Sequence, residues 1–310
     1  MRTRGTRLQA YLFVLPALAI FATFVLYPML ATLVLGLFSW KAMSPERHWA
    51  GLANYSELLG DAVFLTSLRN NGLWILASLA VQLPLALLLA VALNSQVARL
   101  RMLRTAFFTP FVLPVVAVAL VWWLIYEPNF GLANALLRGA AQAMSGLLTA
   151  LGLMSREAAK TVTVAWLGDE RLATLSIIAV ASWRFVGFHT VILLAGLQTS
   201  SDDYYDAARL DGATGWQTFR HVTLPLLRRI IAADALLIVV GSVKVFDLIW
   251  VMTGGGPYHA TEVLATYMYY CGFTIDRMGY SAAIATIMVV ITMAATALYL
   301  RLTQLAPEEA

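Results

Sequence analysis

One cysteine, Cys271, stands in 310 residues, which excludes an intrachain disulfide and any multi-cysteine metal cluster. Charge is nearly as scarce. Asp, Glu, Lys and Arg make up 12% of the chain, where a soluble domain carries about 25%. The four histidines, His48, His189, His221 and His259, are scattered without ligand spacing, so they are expected to be structural or incidental and no metal site is expected. The net charge of +4 is small and its basic residues gather in loops, not in a patch of the size nucleic acid requires, which argues against nucleic-acid binding. The phosphate-cradling pattern G-x-x-x-x-G-K-[ST] does not occur. Thr253-Gly254-Gly255-Gly256-Pro257 has glycines without the lysine and reads as a helix end followed by a turn. A membrane enzyme would need His, Asp or Glu clustered at interfacial depth, and no such cluster is present, so no catalytic residue is assigned.

Apolar sequence is abundant: 60% of residues are hydrophobic and the mean hydropathy is +0.76. A bilayer core of about 30 Å takes roughly 20 apolar residues in a helix. Six stretches meet that length, approximately 10–38, 71–93, 106–126, 172–197, 230–252 and 280–300. The first is too long for a signal-peptide core and is read as a retained helix. Arg2, Arg4 and Arg7, the loop with Arg99, Arg101 and Arg104, and the loop with Arg209, Arg220, Arg228 and Arg229 fall on one side, which makes that side, with both termini, cytoplasmic.

Three segments lie between spans. Residues 40–70, with Trp49, Leu52, Tyr55, Leu58 and Leu59 near helical spacing, predict a short external helix in the interface plane. Within 127–171, the small-residue run Gly139–Met154 is too short to span and reads as interfacial or re-entrant, as does 262–275.

The most informative stretch is polar. Tyr205-Asp206-Ala207-Ala208-Arg209-Leu210-Asp211-Gly212-Ala213, followed by Val222-Thr223-Leu224-Pro225, lies between two spans on the cytoplasmic side. Asp202, Asp203 and Asp206 suit the positive end of a helix dipole, and Ala207 and Ala208 favour helix while leaving room for a partner. Gly212 permits a sharp turn, and Leu224-Pro225 is expected to end a second short helix. The pattern acid-Ala-Ala-x3-Gly-x9-Val-x-Leu-Pro resembles the coupling loop of ABC importer permeases, with Asp206 where that family usually has glutamate. Gly51-Leu52-Ala53-Asn54-Tyr55, Thr109-Pro110-Phe111-Val112-Leu113-Pro114, Leu194-Ala195-Gly196-Leu197-Gln198 and Phe246-Asp247-Leu248-Ile249-Trp250-Val251-Met252-Thr253-Gly254-Gly255-Gly256-Pro257 are similar to carbohydrate permeases of the maltose and glycerol-3-phosphate type, and the likeness covers residues 11–300.

The resemblance implies an all-α polytopic membrane protein with six transmembrane helices of the type I ABC importer fold. Residues 1–66 would form the cytoplasmic N-terminus, first span and external segment. Residues 67–302 would form the transmembrane domain with its coupling loop at 200–228, and 303–310 a cytoplasmic tail. The implied location is the cell inner membrane. The implied partners are a second homologous permease, two ATP-binding cassette ATPases and an extracytoplasmic sugar-binding protein, with a carbohydrate as cargo. No cofactor is implied for this chain, because ATP and Mg would sit on the ATPases. Asp206, Ala207, Ala208, Gly212, Leu224 and Pro225 would couple to them.

Arg184, Asp234, Lys244 and Asp247 fall in or near apolar runs, where each should face protein or a cavity. Lys244 and Asp247 are three apart, the spacing of a neutralising pair on one helix face, and Asp234 is near enough to Arg228 and Arg229 to sit at the membrane edge. The same charges support an alternative, an ion-coupled secondary transporter using them as a proton or sodium relay. Sugars bind through aromatic faces and hydrogen-bonding groups, and Trp183, Phe185 and Phe188 in the fourth span, with Gly241, Ser242 and Val245 in the fifth, are the candidate cargo contacts. The resemblance places sugar contacts on these helices, with Trp183 as the matching tryptophan.

Overall fold

A computed structural model describes residues 4–94, 98–152, 161–199 and 201–304. The expected tail from 305 on, Arg2 and Ser200 of the coupling loop lie outside them. By spatial clustering the chain divides into two units, Met1–Leu65 with Tyr267–Val290 and Thr66–Thr266 with Ile291–Ala310.

The first unit opens with α1 (Arg4–Phe21), a π turn and α2 (Tyr27–Leu35). No residue of the apolar run Phe13–Leu35 is buried in the chain itself, as expected of a span that faces lipid or a partner. The chain then turns into a hairpin where a helix was expected: β1 (Phe38–Trp40) pairs antiparallel with β2 (Arg47–Trp49), Phe38 opposite Trp49. Their rings meet edge to face at 5.1 Å. Only α3 (Ala53–Gly60) is helical in the way the spacing predicts. Asn54 Nδ2 ties α3 to the hairpin by donating to the carbonyls of Gly36 and Phe38.

Asp61 caps the next helix, accepting from the Val63 and Phe64 N–H groups, and also accepts from the hydroxyls of Tyr267 and Tyr280. Burial pushes its carboxyl up, but the two tyrosine hydroxyls and the two N–H groups outweigh burial and hold it below the ordinary carboxylate range. Beside it Arg277 pairs with Glu57 at 2.6 Å.

The second unit is built on long helices. α4 (Ala62–Ala77), a π turn (Ser78–Gln82) and α5 (Leu83–Leu93) form one continuous apolar helix of 32 residues. α6 (Ala98–Val112) and α7 (Val115–Ile125) follow, then α8 (Leu132–Ala143) and α9 (Ser145–Ala150), which together occupy most of the segment expected to be interfacial. α10 (Ala173–Thr199) is the most buried span. The polar segment holds α11 (Asp202–Leu210) and α12 (Gly215–Thr218). A π turn (Phe219–Thr223), α13 (Leu224–Val243), α14 (Asp247–Met252) and the start of α15 (Leu264–Tyr269) follow; the next π turn (Tyr270–Thr274) and the first half of α16 (Met278–Gln304) belong to the first unit.

Among the described residues, four helices are long and apolar enough to cross a membrane: Phe13–Leu35, Ala62–Leu93, Ala173–Thr199 and Met278–Thr303. The stretch expected at 106–126 is not a straight span. α6 and α7 meet at 93°, because Pro114 leaves the helix with ψ 127°. The stretch expected at 230–252 is also broken, α13 ending at Val243 and α14 starting at Asp247. α13 carries Arg228, Arg229 and Asp234 within its 20 residues.

Among the described residues, two buried clusters hold this unit together. Trp74, Val118, Ile177, Val180, Leu248 and Ile249 form one, and Ala86, Ala90, Leu193, Leu197 and Leu227 the other. Gly187 allows a close helix approach, since a Cβ there would stand 1.9 Å from the Phe107 carbonyl oxygen of α6.

Candidate functional site

A cavity of about 430 Å³ opens within the second unit, walled by α4, the π turn after it, α6, α7, α10, α13 and α14. Phe185, Phe188, Gly241, Ser242 and Val245 all line it, as do Arg184, Lys244 and Asp247. Trp183 does not. It is 43% exposed and packs edge-on to Trp122. On a helix, Trp183 is turned by about 140° from Phe188, whereas Phe185, Phe188 and His189 share one face.

The aromatic surface of the cavity is Phe111 on Phe188, stacked at 4.5 Å and 22°, with Phe185 tilted against Phe111. Arg184 lies over the rings of Phe111 and Phe185 and donates through Nη2 to the carbonyls of Phe111 and Leu113. Those carbonyls belong to the end of α6, where the helix leaves acceptors without partners. The guanidinium therefore caps the bend. Its Nε is buried without a partner.

The expected neutralisation of Lys244 by Asp247 is absent. The helix ends between them, so the three-residue spacing no longer places them on one face, and among the described residues no ion pair joins them. Both are exposed on the cavity wall. The placement of Asp234 at the membrane edge is also corrected. It is fully buried, 2.7 Å from Nδ1 of His189, and its second oxygen, Oδ2, has no partner.

Sequence reasoning missed Trp74, Ser78, Gln82, Phe111 and His189 as cavity residues. Gln82 is an amide in the middle of an apolar span, and His189 sits in the face of Phe185 and Phe188; both were signals of an inward-facing polar group. Asn71 completes the frame, donating to the Ser242 carbonyl and accepting from the Leu264 N–H, both at 2.8 Å.

The polar segment forms a helix–turn–helix. Ser201 caps α11, its hydroxyl accepting from the Asp203 N–H. Asp206 and Arg209 pair at 2.8 Å on the exposed face, and Ala207 is exposed beside them while Ala208 is half-buried. Gly212 adopts φ 75°, and the N–H groups of Ala213 and Gly212 close back onto the carbonyls of Ala208 and Arg209, the double bond of a glycine-terminated helix. Thr214 and Gln217 then form a reciprocal capping box at the start of α12. Leu210 and Trp216 stand 89% and 67% exposed on either side of the turn. Pro225 does not end the second helix as expected. It lies in the first turn of α13, where no N–H is required, and the π turn carries the helix through to it. Leu224 is half-buried and Pro225 exposed.

Asn70 donates to the carbonyls of Ala260 and Glu262, fixing the loop after α14. Burial pushes the Glu262 carboxyl above the ordinary range, opposed by bonds from Thr266 and His259.

Residues 82–305 match the family model described as "Binding-protein-dependent transport system inner membrane component". The chain is 38% identical to the probable ABC transporter permease protein YurN of Bacillus subtilis over 301 residues, 96% of this chain and 97% of that one. It is 30% identical to the trehalose/maltose transport system permease protein MalF of Thermococcus litoralis, covering 94% and 92%. In fold it is similar to a chain of the bacterial alginate ABC transporter solved with an alginate pentasaccharide-bound periplasmic protein, with a TM-score of 0.75, 22% identity and 96% of each chain covered. A bent, multi-pass helical fold, a cavity and a family match that takes in most of the cavity wall and the whole polar helix–turn–helix agree: the chain belongs to the inner membrane components of binding-protein-dependent transport systems, the permease subunits of ABC importers.

Proposed function

We propose that this permease subunit carries a sugar or related polyol across the inner membrane through the cavity between α4, α6, α10 and α13, by alternating access. The observation that carries the reading is the cavity wall itself. Its volume of about 430 Å³ falls in the ordinary range for small-ligand sites, and it combines stacked aromatic faces with a few amide, hydroxyl and imidazole groups. That mixture suits rings with apolar C–H faces and hydroxyl rims. The trehalose/maltose relative supports the same cargo class.

The chain is the non-catalytic subunit, and ATP is hydrolysed elsewhere in the complex. In our reading it pairs with a second homologous permease, and two ATPases, holding ATP and Mg, grip the paired α11–α12 loops. An extracytoplasmic binding protein delivers cargo, and both termini face the cytoplasm. Closure of the ATPase dimer would move the two loops as rigid bodies and switch the side to which the cavity opens. The ion-coupled alternative lacks support: the family match and the relatives are ABC importer permeases, and among the described residues no ion pair joins Lys244 to Asp247.

Reconstitution in liposomes tests the proposal. A complex with partner permease, ATPases and binding protein should import at least one labelled sugar from a panel of maltose, trehalose, lactose, cellobiose and sorbitol, only with ATP inside. Uptake by vesicles lacking the ATPases would refute the ATP-driven mechanism, and failure of every neutral sugar would refute the cargo class.

A further inference from the structure

A second, smaller pocket of about 250 Å³ opens in the same unit, where α7 turns towards α8. Trp123, Glu127 and Phe130 line it, with Leu167 and Gly168. Helical spacing and hydrogen bonds hold the first three together. Trp123 and Glu127 are four residues apart, and helical bonding runs past the end of α7: the Tyr126 N–H donates to the Trp122 carbonyl and the Glu127 N–H to that of Leu124. Glu127 then closes the turn. Its Oε2 accepts from the N–H groups of Asn129 and Phe130 at 2.6 and 2.7 Å, and its carbonyl accepts from the Gly131 N–H at 3.0 Å. A Cβ on Gly131 would stand 2.3 Å from that carbonyl oxygen, so the turn is tight and only glycine fits it.

The lining has the chemistry of a cation site. The Phe130 N–H, with the backbone and side chain of Asn129, holds the Glu127 carboxyl below the ordinary carboxylate range, so it is ionised at neutral pH. Among the described residues no basic side chain pairs with it. Trp123 and Phe130 are 46% and 70% exposed, and among the described residues neither ring stacks on another. Gly168 is followed by Asp169 and Glu170 against the single Arg171, which adds negative charge to the rim. An ionised carboxylate beside open aromatic rings attracts an ammonium group. Leading up to it, Val116, Leu120, Trp123 and Leu124 recur at helical spacing and are all exposed, an apolar stripe along α7 that ends at Glu127.

We propose that this pocket holds the headgroup of an ammonium-bearing phospholipid, its ammonium against the Glu127 carboxylate and the Trp123 ring and an acyl chain along the stripe of α7. A lysine from a soluble partner would use the carboxylate and the ring but leave the stripe bare, whereas a lipid covers both at once. The place fits too, because Trp123 and Glu127 stand where the apolar run ends, and tryptophans gather at the membrane surface. The volume lies below the ordinary range for a whole small ligand and suits a headgroup whose chains remain outside. A lipid seated there pins the corner between α7 and α8 at the membrane surface, whatever the cargo.

The test uses the complete transporter in nanodiscs of phosphatidylethanolamine and phosphatidylglycerol, equal in amount and with the same acyl chains. The photoreactive residue p-benzoylphenylalanine in place of Phe130 keeps an aromatic ring at the pocket and, on illumination, bonds to what lies there; mass spectrometry identifies the adduct. Phosphatidylethanolamine adducts should exceed phosphatidylglycerol adducts about tenfold. Adding Glu127→Gln, which keeps an oxygen to accept from the turn, should lower that ratio to about twofold or less, and adding Trp123→Leu should lower it to about threefold. Equal labelling by the two lipids, or a ratio that Glu127→Gln leaves unchanged, would overturn the proposal. Adducts formed mainly with the partner permease or the binding protein would overturn it as well and assign the surface to a protein. If Glu127→Gln fails to assemble, the ratio for the complex with Glu127 intact is measured again at about 0.5 M salt, where an exposed ion pair is screened. A severalfold fall in the ratio supports the headgroup site, and an unchanged ratio overturns it.

Discussion

Gly212 separates the two effects a substitution in the α11–α12 loop can have. Nothing lies within 4 Å of the position a Cβ would take there, so a side chain meets no steric neighbour. What it meets is the backbone: φ is 75°, a left-handed conformation that L-residues enter at a cost of about 1–2 kcal/mol, with asparagine penalised least and β-branched residues most. The conformation is required, because it alone lets the N–H groups of Ala213 and Gly212 reach the carbonyls of Ala208 and Arg209. If the docked ATPase needs this turn formed, affinity falls with the fraction of loops that have it. A cost of about 1 kcal/mol then gives about a fivefold loss for Gly212→Ala. Gly212→Asn should lose twofold or less, and Gly212→Val tenfold or more. The assay is titration of purified ATPase onto the permease pair in nanodiscs, with ATP-driven sugar uptake measured in parallel. The order Gly, Asn, Ala, Val is the signature. Valine binding as tightly as glycine, or asparagine as poorly as valine, would refute the argument, since neither follows from backbone conformation.

Gly187→Ala should destabilise the helix pair α6–α10 by about 3 kcal/mol, at the top of the range for overpacking, because the obstacle is the Phe107 backbone and not a movable side chain. Thermal denaturation in detergent measures it, and an unchanged midpoint would mean that the helices do not approach so closely. Asp61→Asn should cost about 2 kcal/mol, since it weakens acceptance from two hydroxyls and two N–H groups. The folded carboxyl lies below its ordinary value, so its stabilisation is complete above that value, near pH 4, and is lost as pH falls through the folded one. Wild type should therefore lose stability below about pH 4 more steeply than Asp61→Asn, and parallel pH profiles would refute this.

The long apolar runs were legible because a helix in lipid must satisfy its own backbone, and composition alone reveals that. The bend at 112–115 was written in Pro110 and Pro114, four residues apart, although only the structure shows which of them turns the chain: Pro110 stays inside α6 and Pro114 does not. The break at Lys244–Phe246 carries no proline, and it separates two charges whose spacing suggested a pair. The hairpin was hidden because each strand is three residues long, too short for an alternating pattern to show. For the cavity, residue type was a better guide than rotation. Eight of the nine intramembrane candidates (Phe185, Phe188, Gly241, Ser242, Val245, Arg184, Lys244 and Asp247) line it, and Trp183 misses it by the turn of the helix. The buried partnership of His189 with Asp234, 45 residues apart, rests on the packing of α10 against α13, which no local pattern encodes.

Arg184 bears on how such a subunit can change its cargo over evolutionary time. Its guanidinium holds the severed end of α6 through the carbonyls of Phe111 and Leu113, so a change there disturbs the course of a neighbouring span whatever passes through the cavity. Gly241 lies on the same wall with open space around its missing Cβ. One part of the wall is thus mortgaged to architecture and another is free to drift. Deep mutational scanning on two different sugars should find position 184 intolerant under both, and position 241 tolerant of different side chains under each.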